Sequence, residues 1–147
     1  MSTLKKTTSI QRIEETKSLL LRMEQLEEKE RKLTIELLNN DKLLCKLREE
    51  AKFLKENDWK HLYYITSEVY NNFYERIKAD NPQLTLLDLK LCILIKLRYT
   101  ISHIAIMFGI SATSVSKHKL RLKRKLLLNN PSMFDGGKSL DLIIWEY

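Results

Sequence analysis

Three glycines and two prolines in 147 residues leave few places for a sharp turn. That scarcity excludes many-turned β sandwiches and barrels and predicts long, uninterrupted helices. Only two cysteines occur, Cys45 and Cys92, with no Cys-x-x-Cys and no histidine at zinc spacing. They read as reduced thiols rather than a disulfide or a metal site. Long apolar runs are missing too. Leu91-Cys92-Ile93-Leu94-Ile95 is closed off by Lys90 and Lys96, far short of the roughly 20 residues that span a bilayer. The opening MSTLKKTTSI lacks the apolar core of a signal peptide, so a cytoplasmic chain with no membrane segment is expected. Catalytic motifs are absent as well: there is no glycine-rich phosphate loop, no Gly-x-Ser-x-Gly and no His-Glu-x-x-His. His61 and His103 have no carboxylate or cysteine at ligand spacing, and His118 reads as structural. The expectation is a protein that is not an enzyme and takes no cofactor or metal.

The most informative absence is acid. Between Asp88 and Asp135 there is no Asp or Glu, while Lys90, Lys96, Arg98, Lys117, Lys119, Arg121, Lys123, Arg124 and Lys125 all fall inside. Those nine positives exceed the net +7 of the whole chain, so the remainder carries −2. Positive charge confined to one segment suits a polyanion binder, because each neutralised phosphate releases condensed counterions. A solvated helix that aids solubility would show the same charge run, so the pattern within the run has to decide.

That pattern spans Thr100 to Leu126. Ile104, Ala105 and Phe108 mark the apolar face of a short helix, and Gly109 supplies a turn where a left-handed backbone costs little. Ser111 stands where an N-cap belongs. In the next helix Val115, Leu122 and Leu126 share one face. At about 100° per residue, Thr113, Lys117, Leu120, Arg121 and Arg124 take the other. The spacing predicts a helix-turn-helix with Thr113, Ser116, Lys117 and Leu120 at base edges. Arg121, Lys123 and Arg124 are expected on phosphate, joined by Lys96 and Arg98.

The same residues resemble a LuxR-type (GerE-like) helix-turn-helix. The matching positions are Thr100, Ile104, Ala105, Ile110, Ser111, Ser114 in place of a threonine, Val115, His118, Lys125 and Leu126. From about Trp59 onward, with FYERIKADNPQLT ahead of the motif, the chain resembles the C-terminal region of Bacteroidetes regulators, where a coiled coil precedes the DNA-binding domain. One departure is His103. The family carries glutamate there, completing a capping box with the equivalent of Thr100. The resemblance implies a transcriptional regulator that binds double-stranded DNA, with an upstream sensor or RNA polymerase as further partners.

The rest of the chain fits an all-α plan of a long N-terminal coiled-coil helix, a connecting helix and a four-helix LuxR-like domain. Residues 1–9 read as a disordered lead. From Ile10 to about Asn57 no glycine or proline intervenes. Leu19, Leu26, Leu33, Leu47 and Leu54 form one heptad series with Asn40; Met23, Leu37, Leu44 and Ala51 form the other with Glu30. Basic and acidic residues balance at eleven each over 12–57, as on a solvated surface. A helix of this length, roughly 70 Å, is expected to pair with its copy in a homodimer. An intrachain hairpin bent at Asn39-Asn40-Asp41 is the alternative. Residues 58–81 read as a connecting helix with an aromatic core stripe of Trp59, Leu62, Thr66, Val69, Phe73 and Ile77.

Residues 82–147 hold the DNA-binding domain. Asn81-Pro82 closes the connecting helix, and Thr85-x-x-Asp88 opens the next as a capping box. Residues 127–138 read as a loop, and SLDLIIWEY as a closing amphipathic helix. Two rival functions stay open: a coiled-coil interaction module, including a sigma-factor-like polymerase adaptor, and single-stranded RNA binding through the tyrosines.

Overall fold

A computed structural model describes residues 2–147, and their side chains from residue 8 onward. Among the described residues the chain is all-α, with no strand. Its helices are α1 (Ser2–Asn40), α2 (Lys42–Glu49), α3 (Glu56–Val69), α4 (Phe73–Asp80), α5 (Leu86–Lys96), α6 (Ile101–Phe108), α7 (Ala112–Asn129) and α8 (Leu140–Glu146). A short 3-10 turn covers Pro131–Phe134. Among the described residues no helix is long and apolar enough to cross a membrane. The chain divides into two units, one ending at Asn39 and the other running from Asn40 to Tyr147.

The first unit is α1 up to Asn39. Nothing from Ser2 to Asn40 interrupts a helix, since the stretch lacks both glycine and proline. The helix begins at Ser2, within the stretch 1–9 read from the sequence as a disordered lead, and Met1 lies outside the described residues. Leu19, Met23, Leu26, Leu33 and Leu37 all stand more than half exposed along it.

The continuous helix expected to reach Asn57 stops at Asn40. Asp41 takes an extended conformation and caps α2, its Oδ1 accepting from the Leu44 N–H at 3.0 Å. Its Oδ2 pairs with His61 Nε2 at 2.6 Å. Leu44 and Leu47, expected in a coiled-coil seam, are fully buried in the second unit, and Leu54 is nearly so. Residues 50–55 are not helical; the Leu54 N–H donates to the Met107 carbonyl at 3.0 Å and ties this segment to α6.

The connecting helix is two helices. Asn71 and Asn72 both adopt positive φ, 50° and 57°, which asparagine tolerates better than most residues. Arg76 braces the break by donating to the carbonyls of Tyr70, Asn71 and Tyr147 at 2.7–2.9 Å. Of the expected stripe, Trp59, Leu62, Thr66, Phe73 and Ile77 are buried and Val69, beside the break, is half-buried.

Helix α5 is the centre of the unit, in contact with α3, α4, α7 and α8. Thr85 and Asp88 form the expected capping box, with Thr85 N–H to Asp88 Oδ2 at 2.9 Å and Asp88 N–H to Thr85 Oγ1 at 3.2 Å. From Leu91 to Leu97 every residue is buried. Each such leucine or isoleucine contributes roughly 1.5–3 kcal/mol on leaving water.

Candidate nucleic-acid interface

Helices α6 and α7 meet through a three-residue turn. Thr100 Oγ1 accepts from the His103 N–H at 3.3 Å, so α6 is capped on one side without the carboxylate that would complete a box. Gly109 closes α6 at φ 68°. That positive φ favours glycine; a Cβ there would also meet the exposed Phe53 ring at 3.1 Å, a tight contact. The Ile110 N–H returns to the Ala105 carbonyl at 3.0 Å. Ser111 Oγ then accepts from the Ser114 N–H at 3.1 Å and starts α7.

Val115, Leu122 and Leu126 anchor α7 in the core. Its two flanks are pinned by charge. Lys125 Nζ lies 2.5 Å from Asp88 Oδ2 on α5, and Lys119 Nζ lies 2.8 Å from Asp141 Oδ1 on α8. Burial pushes the Asp88 carboxyl up, but the Lys125 and Thr85 hydrogen bonds outweigh it and hold the pKa below its ordinary value. At the far end of α7, Asn129 Nδ2 donates to Asp80 O at 2.8 Å and to Asn81 Oδ1 at 2.7 Å. Helix α7 is also longer than expected: it extends through Asn129, absorbing the first residues assigned to a loop.

The outward face of α7 carries Thr113, Ser116, Lys117, Leu120, Arg121 and Arg124, all exposed. Lys117, Arg121 and Arg124 make no ion pair with any described residue. Lys123 is half-buried, its ammonium 5.7 Å from the centre of the Phe134 ring. The fold thus sorts the cations of α7 by position, anchoring those on the flanks and presenting those on the outer row.

The two phosphate candidates outside α7 fare differently. Lys96 is buried, 6% exposed. Its Nζ donates to the Trp145 carbonyl at 2.7 Å and lies over the Tyr70 and Phe73 rings at 4.7 and 5.2 Å. Burial pulls its pKa down to about 8, with Arg76 and Arg98 acting the same way. This side chain is committed to holding α8 and is not available to a phosphate, which corrects the expectation. Arg98 is exposed with φ 66°; its guanidinium stacks over the Trp145 ring at 4.6 Å.

Two further features were not singled out from the residues alone. The anchors Lys119 and Lys125 flank the buried stripe on a helical wheel, so their angular position was the available signal. The other is an open groove of about 700 Å³ beside the turn, walled by Phe53, Trp59, Leu87, Met107, Phe108 and Ile110. Trp59 stacks on Phe108 at 5.7 Å between centroids, and Lys90 lies over Trp59 at 5.0 Å. Among the described residues no group of three His, Cys, Asp or Glu could hold a metal ion. Cys92 is buried, and burial together with the Asp88 charge pushes its thiol pKa up, an environment for an inert thiol. No family model, curated protein or solved structure matches this chain.

Proposed function

We propose that this chain is a sequence-specific, DNA-binding transcriptional regulator of the LuxR type, cytoplasmic and dimeric through α1, with α7 as its recognition helix. The observation that carries the reading is the outer row of α7, where Lys117, Arg121 and Arg124 stand exposed beside Thr113, Ser116 and Leu120 on a helix held from behind. A helix of about 10–12 Å diameter fits a major groove about 12 Å wide. Residues in the first turns of α7 meet base edges, where sequence is read. Arg121, Lys123 and Arg124 follow along the groove and meet phosphate, which sets register without reading sequence. Arg98 adds to the phosphate contacts from the end of α5.

The dimer reading rests on Leu19, Met23, Leu26, Leu33 and Leu37, which repeat at heptad spacing along α1 and are exposed. With α1 ending at Asn40, the seam covers about three heptads. Two copies of α7 brought together in this way would address half-sites about one helical turn, 34–36 Å, apart.

Selection of binding sites from random duplex DNA with the full chain tests both parts. A recovered sequence with paired half-sites is expected, together with log affinity that falls linearly against log salt with a slope of several. Absence of duplex binding at low salt would overturn the reading. Tight binding of a partner protein in its place would favour an interaction module or polymerase adaptor.

A further inference from the structure

We propose that Leu120 is a thymine reader, its side chain packing against the 5-methyl group of a thymine in the major groove. The inference rests on the reading of α7 as the recognition helix and names one feature of its target: a thymine at a fixed place in each half-site.

Leu120 is 49% exposed, and its position in the outer row explains why that matters. Residues 113, 117, 120 and 124 lie within about 60° of one another around the helix at 100° per residue. Leu120 therefore stands mid-row, one turn after Lys117 and one turn before Arg124. The fold does not need it, because Val115, Leu122 and Leu126 already fill the opposite side and are fully buried. Other exposed aliphatics sit elsewhere: Ile106 belongs to α6, and Leu128 lies at the far end of α7.

A leucine can neither donate to nor accept from a base edge. Against guanine or cytosine it would desolvate hydrogen-bonding groups and replace none of their bonds, which is unfavourable. The thymine methyl is the one apolar group that the four bases present in the major groove. Covering it removes apolar surface from water on both partners. Lys117 and Ser116 beside it supply the polar readout, so Leu120 adds discrimination at a separate base pair.

Replacing thymine by uracil removes that methyl and leaves every hydrogen-bonding group in place. In the selected site, uracil is placed at each thymine in turn, and affinity is measured for the full-length chain and for Leu120→Ala. One thymine per half-site should show about a fourfold loss with uracil, the equivalent of about 0.8 kcal/mol for one buried methyl. Leu120→Ala should bind thymine and uracil equally at that place, whereas Leu120→Met, still apolar, should keep the difference. Helicity matching the parent chain checks that both variants fold. Indifference of the parent to uracil at every position would overturn the proposal, and so would an undiminished loss in Leu120→Ala. A loss abolished by Thr113→Ser but not by Leu120→Ala would overturn it as well, assigning the methyl to the threonine. Specific binding with any of these outcomes sinks the thymine reader alone; absence of duplex binding sinks the regulator reading beneath it.

Discussion

Helices α1 and α7 are the two longest among the described residues, and both combine periodic leucines with abundant lysine and arginine. Their leucines meet opposite fates. Leu19, Leu26 and Leu33 are 59–60% exposed on α1, whereas Leu122 and Leu126 are fully buried on α7. Their charges differ in kind: α1 mixes glutamate among its cations, and α7 carries no acid at all. Leucine spacing says that a stripe will seek cover, but not what will cover it. The charge around the stripe is the better guide to the partner. Mixed signs suit pairing with a like helix, and a single sign suits a polyanion.

The largest expected effect follows from burial. Leu122→Ala should destabilise the second unit by about 2–5 kcal/mol, since a fully buried leucine leaves a cavity. Denaturant unfolding of the full chain would measure it. A loss well under 1 kcal/mol would break the contrast with α1.

Smaller, and dependent on pH, is the anchor between α5 and α7. Asp88→Asn removes the charge that Lys125 meets and should cost about 1.5–3 kcal/mol at neutral pH. The Asp88 carboxyl titrates lower in the folded chain than its ordinary value of 3.8. Its stabilisation is therefore complete above the ordinary value and drains away as pH falls through the folded one. Parent and variant should thus converge in stability as acid is added. A gap that stays constant from neutral pH down to strong acid would show that the anchor is not electrostatic.

How much of this was legible beforehand depends on whether a signal is local. Caps that use neighbours three residues apart were readable: Thr85 with Asp88, and Ser111 with Ser114. So was Gly109, since a tight turn between two apolar stripes calls for positive φ. The end of α1 was legible only as the alternative bend at Asn39-Asn40-Asp41. Leu47 and Leu54 keep the heptad register of Leu19, Leu26 and Leu33, and Leu44 that of Met23 and Leu37, so a period count continues past Asn40. The break rests on Asp41, whose pairing with His61 spans 20 residues and leaves no periodic trace. Lys96 was misread for the same reason. Its surroundings come from Tyr70, Phe73 and Trp145 on three other segments, and a cation in a basic stretch looks the same whether it faces solvent or a tyrosine. The outer row of α7 was legible because one helix supplies it whole.

On that outer row, stability and recognition should separate. Arg124→Ala is expected to change stability by less than about 0.5 kcal/mol, as exposed substitutions do. It should weaken binding to all duplexes nearly uniformly and lower the salt slope by about one. Lys117→Ala, equally exposed, should instead relax base preference at one position of the selected site. If both variants lost preference alike, the division between base contact and phosphate contact along α7 would fail.

The smallest effect on the folded unit is expected from α1, and its size is what makes it informative. Leu26 is as prominent in its helix as Leu122 is in α7, but its side chain stands in solvent in the single chain. Leu26→Ala should leave the unfolding of the Asn40–Tyr147 unit within about 0.5 kcal/mol of the parent. Its consequence should appear only where two chains meet: self-association measured by sedimentation should weaken, and the helicity of α1 should become more dependent on concentration. Helices without tertiary cover draw little stability from propensity alone, so α1 would gain from a partner surface in a way that α7 would not. Unchanged association in Leu26→Ala, with association lost in a variant elsewhere, would move the dimer seam off α1. A large destabilisation of the second unit would mean that the two helices are covered by the same core after all.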